Sequence, residues 1–127
     1  MRSLYMTLVF LLFSNAAIAA DLVFRSDETL LAVSPANVEA VVMHGQPSLQ
    51  FRLTDTDSVA FENLTGDNIG NVLVVSLCDR VLVEAVVQER LSGVGILNVS
   101  SIEASLAASE VLRGEKSCSA LDPHFDE

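Results

Sequence analysis

Basic residues are scarce in this sequence of 127: seven lysines and arginines stand against 17 acidic residues, a formal charge of −10. A surface that acidic repels nucleic-acid phosphates, which are bound by clustered Lys and Arg, and has little attraction for anionic lipid headgroups. Histidine and cysteine are scarcer still, at two each. Two thiolates with no nearby imidazole supply too few ligands for a zinc site, so neither a metal nor another cofactor is expected. His44, beside Gly45, reads as a loop residue of a hairpin, and His124 lies in a tail rich in carboxylates that solvation alone accounts for. There is no glycine-rich phosphate loop. Gly93 and Gly95 lack the strand, phosphate and helix context of one and read as a turn. No serine, histidine and acid have recognisable catalytic spacing. Glu84 and Glu89 read as charges that guard a strand edge rather than as an acid and base pair. An enzyme is therefore not expected.

Long hydrophobic runs are also missing. The longest opens the chain, MRSLYMTLVFLLFSNAAIAA, with one positive charge at Arg2, an apolar stretch over residues 6–13 and small residues ending in Ala17-Ile18-Ala19. A membrane-spanning helix needs about 20 predominantly apolar residues. The segment reads as a secretory signal peptide cleaved after Ala19 or Ala20, with a retained signal-anchor as the alternative, and no stable membrane insertion is expected after its removal. Losing Arg2 leaves six basic residues against 17 acidic ones, a formal charge of −11. The predicted organisation is a signal peptide over 1–19, a leader or edge strand over 20–36, one α+β domain over 37–118, and a flexible acidic tail over 119–127. No internal repeat or low-complexity segment stands out.

An exported chain meets an oxidising environment, which makes one disulfide between Cys78 and Cys118 the natural reading. Two free thiols or an intermolecular bridge are the alternatives. Closing a loop of about 40 residues stabilises a fold by about 4 kcal/mol on the chain-entropy account.

What is present is a succession of short strand-forming segments and two helical ones. Residues 22–24 and 29–33 are apolar enough for strands, and Ser34-Pro35-Ala36-Asn37 breaks the run. Residues 38–43 and 49–53 flank His44-Gly45-Gln46-Pro47. In the second of these, Leu49, Phe51 and Leu53 alternate with Gln50 and Arg52, which predicts one buried face and one wet face. Thr54 to Asp57 supply caps for a helix carrying Ala60, Phe61 and Leu64, followed by Gly66 and Gly70. Residues 72–77 and 81–87 are apolar at almost every position, which predicts a hairpin turned at Asp79-Arg80 at the centre of the sheet, covered on both faces or nearly so. After a turn at Ser92-Gly93-Val94-Gly95 come a strand over 96–99 and a helix over 100–113. Ser100 and Glu103 fit a capping box, Ala104, Ala107, Ala108, Val111 and Leu112 make the apolar face, and Gly114 ends the helix. The sum is a mainly antiparallel sheet covered on one face by two helices.

From Leu49 to Gly114 the order of features resembles the head subdomain of the first periplasmic domain of SecD, a membrane protein of bacterial export. The run FRLTDTDSVAFENLTGDNIGNVLVVSLCDRVLVEAVV places Phe61, Leu64, Thr65, Asn68 and Gly70 where that family has its Phe, Leu-Thr, Asn and Gly. QERLSGVGILNVSSIEASLAASEVLRG follows with Gly93, Gly95, Ile96 and the segment from Glu103 to Gly114, similar to the family's glycine turn, strand and closing helix. Cys78-Asp79 stands where Asp-Gly is usual. The resemblance implies a ferredoxin-like fold, a periplasmic setting, and a surface that engages unfolded polypeptide or a periplasmic protein partner. Leu91, Ser92, Gly93, Val94, Gly95 and Ile96 are the candidate contact residues. A structural or inhibitory protein that binds one folded partner through its acidic surface is the alternative. Asn63-Leu64-Thr65 and Asn98-Val99-Ser100 match the glycosylation sequon but fall in or near predicted regular structure in a mainly bacterial family, and read as chance.

Overall fold

Turn chemistry sets the pairing of most of the strands. In the computed structural model, which describes residues 20–125, the chain runs β1 (Leu22–Ser26), β2 (Thr29–Val33), β3 (Asn37–Met43), β4 (Gln46–Arg52), α1 (Asp55–Gly66), β5 (Val72–Leu77), β6 (Arg80–Val86), β7 (Val94–Asn98), α2 (Ile102–Leu112) and a short 3-10 helix (Cys118–Leu121). The predicted signal peptide lies outside the described residues. Two-residue turns join β1 to β2, β3 to β4 and β5 to β6. His44 and Gly45 take φ of 53° and 77°, and Cys78 and Asp79 take 53° and 64°. This pairing of left-handed residues matches the twist of the strands it connects. The β3–β4 turn is thus shorter than the four residues expected, and Gln46 and Pro47 belong to β4.

All pairings are antiparallel, and the class is α+β as expected. The strands divide between two sheets, ordered β2-β1-β5-β6 and β3-β4-β7. Residues 20–36 supply β1 and β2, with β1 inside the first sheet and β2 at its edge. Pro47 opposes Val99 at a position where a donor is needed. Val99 N–H donates to the Pro47 carbonyl (3.0 Å), and the Gln46 side-chain amide donates to the Val99 carbonyl (2.9 Å) in place of the N–H that proline lacks.

Thr54 caps α1 by accepting from Asp57 N–H (3.2 Å), with Asp55 and Asp57 complementing the positive end of the helix. Ser101 caps α2, accepting from Ala104 N–H (3.0 Å), one residue later than the predicted Ser100 and Glu103 box. At its other end Gly114 (φ 77°) donates to Val111 and Glu115 donates to Glu110, the paired bonds of a Schellman motif. Ala104, Ala107, Ala108, Val111 and Leu112 are buried as predicted.

One core serves both sheets. Leu22, Phe24, Leu73, Val75 and Leu77 point inward from the first, Val38, Leu49, Phe51 and Leu97 from the second, and Phe61 and Leu64 from α1. The β5–β6 hairpin departs from expectation. It is covered on one face only, with Val72, Val81 and Val86 40–53% exposed on the other face, and β6 is an edge strand. The alternation buried-intermediate in β5 shows a one-sided strand beneath its nearly continuous apolar sequence.

Cys78 and Cys118 are bonded, with Cα atoms 5.9 Å apart. The bridge ties the β5–β6 turn to the 3-10 helix, whose Leu121 is fully buried, and Arg80 and Asp122 form an ion pair beside it. Within the segment expected as a flexible acidic tail over 119–127, hydrogen-bonded turns continue as far as Phe125, through His124 and Phe125 N–H to the Leu121 carbonyl. Replacing both cysteines by serine is expected to lower unfolding free energy by about 2–4 kcal/mol, measured by urea titration. An unchanged midpoint would mean the clasp adds nothing to stability.

Candidate functional site

The connection from β6 to β7 is locked to α1 along its length. α1 carries no basic residue in its last turn, and Arg90 supplies one from outside, donating to the Glu62 carbonyl (3.3 Å) and Asn63 Oδ1 (3.4 Å). Thr65, fully buried, donates to the Phe61 carbonyl (3.0 Å) and accepts from Leu91 N–H (2.9 Å). Asn68 donates to the Leu64 carbonyl (2.8 Å) and accepts from Asn71 Nδ2 (3.0 Å). Gly70, at φ 93°, carries the chain into β5. The residues that carry the family resemblance thus hold the frame of this connection, and the sequon at Asn63 lies within α1 with its Thr65 buried.

Gly93 and Gly95 are close-approach glycines, and the turn expected over Ser92 to Gly95 is shorter than predicted, because β7 begins at Val94 and contains Gly95. A Cβ on Gly93 would stand 1.9 Å from Ser58 Oγ and 3.1 Å from Ser58 Cα, while one on Gly95 would stand 2.6 Å from the Phe51 ring. With those contacts made, β7 lies against β4 in the register Arg52↔Val94, Gln50↔Ile96 and Ser48↔Asn98. Leu53 N–H donates to the Gly93 carbonyl (2.8 Å) and Val99 N–H to the Pro47 carbonyl. In an antiparallel ladder the bonded pairs alternate, so residues 93, 95, 97 and 99 turn their backbone groups toward β4. Val94, Ile96 and Asn98 turn theirs outward, and β7 is the edge of its sheet.

Beside this edge opens an apolar cleft of about 240 Å³, lined by Leu73 and Val75 of β5, Leu91, and β7, with Phe24, Phe51 and Phe61 as its floor. The rings pack with centroids 4.6–6.3 Å apart. A second hollow along Ala85 to Glu89 shares Leu73 and Leu91 with the first. Five of the six candidate contact residues, Leu91, Ser92, Val94, Gly95 and Ile96, line this cleft, and Gly93 does not. Leu91, Val94 and Ile96 are 36–52% exposed, Ser92 is exposed, Gly93 is buried, and Gly95 is partly covered. Their spacing in sequence concealed the aromatic floor, which β1, β4 and α1 contribute separately. Glu84 stands on edge strand β6 and Glu89 three residues beyond its end. His44 is exposed at the β3–β4 turn. Among the described residues no group of three His, Cys, Asp or Glu side chains is placed to hold a metal ion.

No protein-family model matches the chain, and no curated protein matches it. Solved structures do. A structure of SecDF, described as a membrane component that enhances protein export, is 29% identical with a TM-score of 0.60, over 63% of this chain and 38% of that one. SecDF in its super-membrane-facing form is 28% identical with the same TM-score, over 64% of this chain and 11% of that one. The described residues thus form a small α+β module similar in fold and sequence to part of SecDF. This chain spans well under half of the length of either of these proteins. No helix among the described residues is long and apolar enough to cross a membrane.

Gly93→Ala is expected to destabilise the fold by about 2 kcal/mol or more through the clash with Ser58. Adding Ser58→Gly should return part of that loss in a double-mutant cycle of chemical denaturation. Additive losses would separate Gly93 from Ser58.

Proposed function

We propose that this chain is an exported, non-enzymatic binding module, akin to the SecD periplasmic head, that engages unfolded polypeptide in the periplasm during protein export. The observation that carries the reading is the outward row of backbone groups at Val94, Ile96 and Asn98 next to the phenylalanine-floored cleft. An extended segment laid along β7 gains main-chain hydrogen bonds that are indifferent to sequence, while alternate side chains reach the apolar cleft. Such a surface suits a client presented without its own fold. The similarity to SecDF, a component that enhances protein export, supports the same setting.

The test uses fluorescence anisotropy with labelled extended peptides that alternate apolar and polar residues. Ile96→Pro removes an outward N–H and no ladder bond, so the fold should persist by circular dichroism while affinity falls about tenfold. Val94→Pro provides a second probe of the same row. Wild-type affinity in both folded variants, or no peptide binding by the parent protein, would sink the proposal. The alternative, one folded partner held by the acidic surface, predicts affinity that falls steeply with salt, whereas strand addition depends on it weakly.

A further inference from the structure

The outer face of the first sheet is apolar and faces solvent among the described residues. Its side chains are Leu30 and Ala32 of β2, Val23 and Arg25 of β1, Val72, Val74 and Ser76 of β5, and Val81, Glu84 and Val86 of β6, as the registers place them. Leu30 is 61% exposed and Val86 53%. In a chain with 17 acids and seven bases, this face carries one charge of each sign. Arg25 and Glu84 are both exposed and both in register with Val74, one on either side of it.

We propose that this face pairs with the same face of a second copy of the chain. A two-fold axis running along β5 sets Val74 against the second copy's Val74 and brings each Arg25 to the other copy's Glu84, so that both charges are matched twice. An isologous contact of this kind needs a self-complementary patch, and an arginine and a glutamate placed symmetrically about a valine provide one. Elsewhere the acidic excess makes two copies repel; here net charge is absent. With the axis along β5 the strands that overlap are β1, β5 and β6; three strands about 4.8 Å apart, with about five residues each at about 3.4 Å, give a face of about 250 Å². Two such faces bury less than the roughly 1,200 Å² of a standard interface, so the dimer is weak and concentration-dependent.

The experiment is sedimentation velocity of the purified protein from micromolar to millimolar concentration. A reversible dimer is expected, weakened about tenfold or more by Arg25→Glu and by Glu84→Arg, each of which sets like charges together. Mixing the two variants should regenerate dimers, as one supplies two carboxylates and the other two guanidinium groups. The R25E/E84R double variant should also dimerise. Circular dichroism confirms folding of each, and the mixing result stands apart from any loss of stability. A protein that stays monomeric at millimolar concentration, or a dimer indifferent to both reversals and broken instead by Ile96→Pro, overturns the proposal.

Discussion

Two small sheets, neither able to bury its apolar face alone, are joined where Phe24, Phe51 and Phe61 meet. Each ring comes from a different element, β1, β4 and α1, so the contact fixes the angle between the sheets and the seat of the helix at once. Aromatic rings remove more apolar area from water than other side chains, and their tilted packing adds geometric preference. The rest of the architecture follows from this junction. α2 closes the second sheet with small residues, alanine and serine, that let it approach β3 and β4 closely. The disulfide closes the far end by bringing Leu121 to the core.

The junction also leaves a gap. β7 ends the second sheet, and the rings that join the sheets become the floor of the cleft between β5 and that edge. Thr65, Arg90, Gly93 and Gly95 hold the intervening connection against α1 and β4. The bonds within the connection are made internally, while the outer row of β7 is directed to solvent. Rigidity at the base and open backbone groups at the rim are consistent demands for a surface that accepts an extended chain, because a preformed edge loses little conformational freedom on binding.

The valine-rich hairpin illustrates how two surfaces can share one sequence pattern. Its inner face carries Leu73, Val75 and Leu77 into the core, while its outer face keeps Val72, Val74, Val81 and Val86 toward water. Both faces are apolar, and so the pattern has no period of two to announce which is covered. The exposed charges at Arg25 and Glu84 distinguish the outer face, since charges are rarely placed in a buried interior without partners.

Much was legible in the order of residues alone. The alternation of Leu49, Phe51 and Leu53, the Thr54 cap, the alanine face of α2 and the glycine at 114 are local signals, and local backbone physics is enough to read them. The pairing of Cys78 with Cys118 was readable from the cysteine count and the oxidising compartment expected from the N-terminal segment. The division into two sheets, the single cover of the β5–β6 hairpin and the aromatic floor were not. Phe24, Phe51 and Phe61 are separated by 27 and 10 positions, and no local propensity brings them together. Sequence determined most of the elements but read Gly93 and Gly95 together as a turn, whereas Gly95 lies inside β7; only the packed chain decided that those glycines make room for Ser58 and Phe51, because steric contact between distant segments exists only once the core has formed.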